Sequence, residues 1–242
     1  MNEKRSYRDF KIAAKFALRG RLTKIMVVYM FIVMLTVAAN LFSMKFTTEN
    51  YYINILIQGL IILLVLEPFS MGAVTFNMAF LKGNNYNVGM IFDGYKYFFK
   101  ILPYSVISIL VSVAYNFIFN RYADTIFTSL LSQIIVFAAL LIMTVIKLCM
   151  SFTYYYVYDN PEISGFGAVI KSFKILRKNI MYYIGLNLSF VWWVFGITFT
   201  YGALMLYVYP YMEITKIIYY KYLMEQQINN SAVQDEEVKE NE

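Results

Sequence analysis

The sequence predicts an all-α fold, a polytopic membrane bundle of about six transmembrane helices with amphipathic helices on its cytoplasmic surface. Of its 242 residues, 60% are apolar and only 15% are charged, whereas soluble domains are closer to half apolar and a quarter charged. The apolar residues gather in runs of about 20, which is the length of helix that crosses the hydrocarbon core. Many of the 23 tyrosines lie at the ends of these runs. Tyrosine suits the headgroup boundary because its ring is apolar and its hydroxyl prefers water.

The first predicted span is 25–42. A signal peptide is the alternative, but the preceding segment is long and patterned, so we expect a retained helix. The second span, 52–81, is longer than a bilayer requires and should tilt, kink at Pro68 or project beyond the membrane. The remaining spans are 101–119, 130–156, 180–200 and 202–223. Together they make a single membrane domain over 1–225, followed by a polar, acidic tail, 226–242, that is predicted to be disordered and cytoplasmic.

The basic residues predict that both ends of the chain lie in the cytoplasm. With the N-terminus inside, 18 of the 21 Lys and Arg residues fall on the cytoplasmic side. Lys45 and Arg121 fall outside, and Lys147 falls within a span. Cytoplasmic loops carry the excess of Lys and Arg in membrane proteins, so this bias predicts a multi-pass protein of the cell membrane in this orientation.

The segment 6–22 has the pattern of an amphipathic helix that lies along the membrane surface. Helical spacing places four basic residues on one stripe, where they would contact lipid phosphates: Arg8, Lys11, Lys15 and Arg19. The opposite, broad face is apolar and is made of Tyr7, Phe10, Ala14, Ala17 and Leu18.

A second surface helix is predicted to begin at Asn160, with Asn160 as N-cap and Pro161 at the first helical position. Its basic face, which we also expect to contact headgroups, is Lys171, Lys174 and Lys178. Its apolar face is Phe166, Val169, Ile170 and Phe173. The segment 88–100 is a candidate for a third such helix.

The three segments share an aromatic-Lys-x-x-x-Lys motif, and each precedes a pair of predicted spans. The copies begin at Phe10, Tyr95 and Phe173. One interpretation is a three-fold repeat of surface helix plus helical hairpin. The alternative is that basic surface helices resemble one another wherever they meet a membrane.

Several stretches resemble a family of bacterial integral membrane proteins, Domain of Unknown Function 975. They are Asp-Asn-Pro-Glu-Ile-Ser at 159–164 with the basic helix after it, and the stretch 207–222. Pro-Phe-Ser-Met-Gly at 68–72 and Phe-Asp-Gly-Tyr at 92–95 are similar to the middle of the family. The resemblance covers Lys11 to Leu223, and it implies a bacterial cell membrane and one multi-helix domain. It supplies no catalytic residues.

Three ionisable residues lie within predicted spans: Glu67, Lys147 and Glu213. Each costs about 2.5–3.5 kcal/mol if left alone at mid-bilayer, so each should face protein or water. Counting along the helices places Glu213 near the midplane, and it places Glu67 and Lys147 at a common depth in the cytoplasmic half. A pair between the latter two would offset much of this cost. One interpretation is that the three charged residues form a proton or substrate path through the bundle. The other is that Lys147 reaches the headgroups and the two glutamates hold helices together. We favour the second interpretation.

Pro68 and Pro210 are candidate helix kinks. Pro210 frees the carbonyl of Leu206 and can bend the last helix beside Glu213. Broken helices near an acid resemble transporter binding sites. Prolines are, however, commoner in spanning helices than in soluble ones, so a structural role explains them equally well.

Residues that the sequence lacks disfavour several functions. There is no histidine, which removes the commonest general base and metal ligand. There is no nucleotide-binding loop, Gly-x-Ser-x-Gly or His-Glu-x-x-His motif. The single cysteine, Cys149, lies in an apolar run and is expected to be inert. We therefore expect no enzymatic activity and no cofactor or metal. The net charge is +6, and the basic residues lie beside apolar runs. This distribution favours anionic lipid headgroups over nucleic acid as the binding partner.

Two functions from different classes remain. The first is a non-catalytic accessory factor that binds lipid or a partner, such as another membrane protein or a second copy of the chain. It would support a transporter or confer tolerance to membrane-active compounds. The second is a small secondary transporter or channel that uses Glu213 and Glu67. We favour the first, because one acid at the midplane is limited evidence for a transport path.

Overall fold

The computed structural model describes residues 5–46, 51–83, 85–125 and 129–240, and in these ranges the chain is helical without a β-strand. The α-helices are α1 (Tyr7–Leu18), α2 (Leu22–Lys45), α3 (Tyr51–Ile61), α4 (Glu67–Lys82), α5 (Phe98–Tyr122), α6 (Leu130–Met150), α7 (Thr153–Asp159), α8 (Gly165–Leu188), α9 (Val191–Phe199) and α10 (Met205–Glu240). A π-helical turn, Ile62–Leu66, joins α3 to α4, and 3₁₀ helices cover Val88–Tyr97 and Ala123–Thr125.

The domain predicted for 1–225 divides into two compact units. One consists of Met1–Tyr29 with Met181–Glu242, and the other of Met30–Ile180. They are called the terminal unit and the central unit below.

Five helical segments within the described ranges are long and apolar enough to cross a membrane: Leu22–Lys45, Ile53–Lys82, Val88–Thr125, Leu130–Asp159 and Gly165–Phe199. They contain the first, third and fourth predicted spans, all but the first residue of the second and all but the last residue of the fifth. An all-helical chain with several segments suited to cross a membrane is therefore confirmed. The sixth predicted span, 202–223, lies largely in α10 and is not among them. Its apolar run is interrupted by Glu213, Lys216 and Lys221. The number six therefore stays a prediction.

The expected disturbance at Pro68 takes the form of the π-helical turn that directly precedes α4. Pro68 has no N–H to donate to the carbonyl of Leu64, four residues earlier. The hydroxyl of Tyr95 donates to that carbonyl instead, at 3.1 Å. Because a neighbouring segment supplies the missing donor, the helix continues through the proline without leaving this carbonyl unpaired.

The segment 88–100 is not the amphipathic α-helix that the sequence suggests. Val88–Tyr97 is a 3₁₀ helix packed against α4, and only its last residues lead into α5. The two backbones approach so closely that glycine is required on both sides. A Cβ on Gly72 would lie 1.8 Å from the carbonyl oxygen of Ile91, and one on Gly94 would lie 1.7 Å from that of Pro68. This contact positions the start of α4 in the central unit.

The predicted span 130–156 breaks after α6, and a serine of α8 forms hydrogen bonds with the backbone groups at the break. The hydroxyl of Ser172 donates to the carbonyl of Cys149 at 2.9 Å and accepts from the N–H of Phe152 at 3.1 Å. All three residues are buried. Buried backbone groups need such partners, so Ser172 ties the start of α8 to the end of α6.

The start predicted for the second surface helix is wrong. Asn160 ends α7, where its N–H donates to the carbonyl of Tyr156 at 3.0 Å. The N-cap is Ser164, whose hydroxyl accepts from the N–H of Gly167 at 3.1 Å. Gly165 then passes so near α5 that a Cβ would lie 2.4 Å from the carbonyl oxygen of Lys100. The sequence offers cap residues at both 160 and 164, and the close approach to α5 favours the second.

Two boundaries near the C-terminus also differ from the prediction. The predicted span 180–200 is shared by α8, which contains a non-helical residue at Asn179, and by α9. The tail predicted to be disordered continues as helix to Glu240. Each added helical residue gains a hydrogen bond once a helix exists, and this stretch contains several Gln and Glu, so low apolar content does not end it. Residues 241–242 of the predicted tail, and Lys4 of the N-terminal basic cluster, lie outside the described residues.

α1 lies in the terminal unit, as its pattern predicts, with Phe10, Ala14 and Leu18 buried. Ser6 and Asp9 form a capping box at its start. It ends near Gly20, which has a φ of +74°, rather than continuing to 22. A positive φ is easily adopted by glycine and turns the chain into α2. The tyrosines near the end of the last predicted span do more than mark a headgroup boundary, since Tyr219 and Tyr220 are each 1% exposed in the core of this unit.

Candidate functional site

The basic stripe of α1 is exposed, with one exception. Arg8, Lys15 and Arg19 are open to the surroundings, as expected for headgroup contacts. Lys11 turns inward: its ammonium donates to the carbonyl of Ser189 and lies 4.2 Å from the ring centre of Phe190. Burial lowers the pKa of Lys11 below its ordinary value. The structure thus places Lys11 in the packing of the terminal unit and leaves three cations on the outer face.

Lys15 and Arg19 border an apolar groove in the terminal unit. The groove has a volume of about 450 Å³ and is lined otherwise by Ile12, Phe16, Leu18, Leu22 and Tyr207. Phe16 is 67% exposed, although it is a large apolar side chain. An apolar channel with two cations at its side matches an amphiphile that carries a hydrocarbon chain and an anionic group.

The first part of α8, which lies in the central unit, carries the second set of predicted headgroup contacts. Lys171, Lys174 and Lys178 are all exposed. Of the predicted apolar face, Phe166, Ile170 and Phe173 are exposed and Val169 is buried. That this face meets the membrane stays a prediction. The buried face is rotated around the helix and consists of Ala168, Val169, Ser172, Ile175 and Leu176. This part of α8 therefore has an inner apolar face, an outer apolar stripe and a basic stripe.

Lys147 is exposed and lines an open, partly polar cavity between helices of the central unit. Its ammonium donates to the hydroxyl of Ser112 at 2.7 Å. Ser112 lies near the middle of α5, so the ammonium is held beside the middle of that helix. That Lys147 reaches the headgroups stays a prediction. The cavity has a volume of about 210 Å³, and the residues around it are Ile55, Gln58, Gly59, Ile62, Ser108, Ile109, Ser112, Val113, Asn116 and Lys147.

Hydrogen bonds orient the polar groups of this cavity. The hydroxyl of Ser112 donates to the carbonyl of Ser108 at 2.9 Å, which turns its lone pairs toward Lys147. The amide of Asn116 donates to the carbonyl of Ser112 at 2.9 Å. An ammonium has three donors, and Ser112 uses one of them. The cavity therefore presents a positively charged donor that is held in place on one side.

Glu67 shares the central unit with Lys147 but does not pair with it directly. The lysine acts on the carboxyl group electrostatically, yet the ion pairs formed by the described residues do not include these two. Glu67 is also not among the residues around the cavity. The predicted Glu67–Lys147 pair is thus replaced by a longer-range attraction, and the ammonium takes a hydroxyl as its contact.

Glu213 lies in α10, in the terminal unit, with Lys216 one turn later. Their charged atoms are 3.8 Å apart, and both side chains are about one-quarter exposed, at 23% and 25%. Pro210, the second predicted kink, is buried in the same helix. The acid therefore has a cation on its own helix. Across the described ranges, three or more His, Cys, Asp or Glu side chains do not come together as a metal site would require.

Residues 1–227 match the family described as "Protein of unknown function (DUF975)". The chain belongs to this family. No curated protein matches it, and no solved structure does. The match confirms the resemblance carried by the sequence motifs. It also leaves the function of this DUF975 protein to be inferred from its own residues.

The polar residues of the Lys147 cavity were missed in the sequence, although a signal for them exists. Ser108, Ser112 and Asn116 recur every four residues in α5, within an otherwise apolar run. Four-residue spacing places side chains on one face of a helix. A polar stripe along a predicted span predicts a face turned away from lipid. The partner of that stripe, Lys147, could not be identified from the sequence because nothing in it pairs α5 with α6.

Proposed function

We propose that this protein is a non-catalytic, multi-pass membrane protein that binds anionic lipids through its basic surface helices and acts as an accessory factor. The observation that carries the proposal is the groove beside α1, where Lys15 and Arg19 border an apolar channel. Neither side chain has an ion-pair partner within the described part of the chain. Such cations beside exposed apolar surface are suited to a lipid phosphate with its acyl chain.

The outer surface of α8 supports the same proposal independently. Phe166, Ile170 and Phe173 would enter the boundary between headgroups and acyl chains, while Lys171 and Lys174 would reach phosphates. An exposed apolar stripe is unfavourable in water and is stabilised in that boundary. As an accessory factor, the protein would bind a membrane-protein partner or a second copy of itself. It would thereby support a transporter or tolerance to membrane-active compounds.

The lipid proposal predicts a loss of affinity in a double variant, Lys15→Gln with Arg19→Gln. Each cation near an anionic surface contributes about 1 kcal/mol, so binding of phosphatidylglycerol should weaken roughly thirtyfold. Binding of phosphatidylcholine, which has no net charge, should change little. Native mass spectrometry of the purified protein, titrated with each lipid in mild detergent, measures both affinities.

The matched control is Lys45→Gln with Arg121→Gln, which removes the same charge at exposed positions that belong to neither α1 nor α8. This control should bind phosphatidylglycerol as the unchanged protein does. Unchanged binding in the Lys15/Arg19 variant would contradict the proposal. An equal loss in both double variants would contradict it too, since it would indicate an effect of net charge alone.

We further propose six spans with both termini in the cytoplasm, α10 contributing the sixth. This arrangement is supported by the distribution of Lys and Arg, of which it places 18 on the cytoplasmic side and 2 outside. Glu213 and Lys216 neutralise each other within α10, which lowers the cost of placing that helix in the bilayer. The predicted three-fold repeat belongs to the same proposal, since each copy of its motif precedes one pair of spans.

Six spans predict a specific labelling pattern in intact cells. With Cys149 replaced by serine, single cysteines at Lys45 and Arg121 should react with a membrane-impermeant thiol reagent, and one at Lys174 should react only after permeabilisation. A green fluorescent protein fused after residue 242 should fluoresce, because it folds in the cytoplasm. Five spans would place the two termini on opposite sides. A fusion that does not fluoresce, together with a Lys174→Cys variant that is unlabelled in intact cells, would therefore contradict six spans.

A small secondary transporter or channel is the second candidate, and the polar cavity around Lys147 favours it. A cavity between spans that contains a charged side chain is a feature of substrate and ion paths. Glu67 lies within electrostatic reach of that lysine. Glu213 carries less weight than the sequence suggests, because it has a neutralising partner in Lys216.

A further inference from the structure

We propose that the cavity around Lys147 is a binding site for a small monovalent anion. The inference goes beyond lipid binding at α1, because it concerns the central unit and a soluble ligand. It rests on a charged donor, a set of polar side chains and a cavity of about 210 Å³, all within predicted spans.

The charge of Lys147 is the first argument. A cation within the hydrocarbon region is costly unless an anion or water faces it. Its direct contact is the neutral hydroxyl of Ser112, and Glu67 attracts it only from beyond ion-pair distance. A bound anion would satisfy the remaining donors of the ammonium and neutralise its charge.

The neighbouring side chains provide the second argument. Gln58 and Asn116 both border the cavity, and each carries an amide with two N–H donors. Asn116 directs one donor to the carbonyl of Ser112, which leaves the other for a ligand. Ser112 directs its proton to Ser108, so its oxygen faces the ammonium and holds it. Together they form a donor-rich site that favours anions over cations.

The volume limits the ligand. A cavity of about 210 Å³ holds a chloride, a nitrate or a short carboxylate such as acetate, together with a few waters. It is less than half the volume of the groove beside α1. The apolar residues at its wall, Ile55, Ile62, Ile109 and Val113, suit a small carboxylate with a methyl group as well as an inorganic anion.

The test uses Ser108→Cys as a reporter inside the cavity, in the full chain with Cys149 replaced by serine. Ser108 borders the cavity, and the hydroxyl that holds the ammonium of Lys147 belongs to Ser112. Two methanethiosulfonate reagents of similar size are compared, one bearing a sulfonate and one a trimethylammonium group. Lys45→Cys, exposed at the end of α2, serves as the reference for their intrinsic rates.

We expect the ratio of anionic to cationic labelling rates at Ser108→Cys to exceed the reference ratio by about tenfold, because a nearby unit charge attracts one reagent and repels the other. Adding Lys147→Met should return the ratio to the reference, and Lys147→Arg should keep it. Millimolar acetate or chloride should slow the anionic reagent, whereas gluconate, which is too large for the cavity, should not.

Glu67→Gln separates this proposal from one in which Glu67 is the true counter-ion of Lys147. If an anion site exists in the unchanged protein, this substitution should preserve or raise the ratio. A preference for the anionic reagent that arises only after Glu67→Gln would overturn the proposal. So would absence of labelling at Ser108→Cys, which means a dry cavity, or a ratio that survives Lys147→Met. None of these results bears on lipid binding at Lys15 and Arg19.

Discussion

Replacing Gly94 by alanine should destabilise the central unit by about 3 kcal/mol or more, at the upper end of what added volume costs in a packed core. The new Cβ would lie 1.7 Å from the carbonyl oxygen of Pro68 and 2.6 Å from the amide nitrogen of Gly72. Backbone atoms cannot move aside as a flexible side chain would. The 3₁₀ helix must therefore separate from α4, and the bond from Tyr95 to the carbonyl of Leu64 is lost with it.

Thermal unfolding of the purified protein in detergent measures this effect, with an expected fall in melting temperature of about 6–12 °C. Gly59→Ala is the matched control, since its Cβ would meet only a methyl carbon of Ile109, at 3.6 Å. That substitution should be neutral or slightly stabilising, because alanine favours helix over glycine. A melting temperature of Gly94→Ala equal to that of Gly59→Ala would show that the two backbones do not approach as described.

The same contact illustrates what the sequence could and could not predict. The motifs at 68–72 and 92–95 are recognisable in the sequence as family features, and Pro68 is predictable as a helix disturbance. The contact between these two motifs is not predictable, because it depends on two segments about 20 residues apart packing backbone against backbone. Tyr95 supplies the donor that Pro68 lacks. The periodicity of the sequence does not indicate which residues form such a hydrogen bond. Local rules identify the exceptional residues, and only the tertiary fold identifies their partners.

Helical periodicity predicted α1 better than α8, and the reason is physical. α1 has a large buried face, Phe10, Ala14 and Leu18, which matches the predicted one. α8 has apolar residues on two faces, one packed on protein and one exposed. In a membrane protein both faces can be apolar, since lipid is as apolar as a protein core. Hydrophobicity alone therefore cannot indicate which apolar face meets protein. The sequence pattern identified the outer stripe of α8, and only the fold reveals the inner face.

The position of Glu67, Lys147 and Glu213 within the membrane stays a prediction, and the sequence did not identify their partners. Lys147 contacts Ser112 rather than Glu67, and Glu213 contacts Lys216 on its own helix. The second pair was within reach of sequence reasoning, because residues three apart on a helix are neighbours. The first pair joins α5 to α6, and its geometry depends on how these helices pack. Depth along a helix is predictable from residue counts, whereas the direction of a long side chain is not.

The docking of α1 itself should depend strongly on Phe10, and Phe10→Ala is expected to cost about 3–5 kcal/mol, the usual range for a buried phenylalanine. Phe10 is 1% exposed, and its ring centre lies 5.3 Å from those of both Tyr219 and Tyr222. Trypsin cleavage within α1, in mild detergent, should accelerate by at least about a hundredfold if cleavage follows transient undocking. Phe16→Ala, on the same helix but 67% exposed, should change the rate by about twofold at most. Equal acceleration in the two variants would mean that α1 is held by its attachment to α2 and not by its buried face.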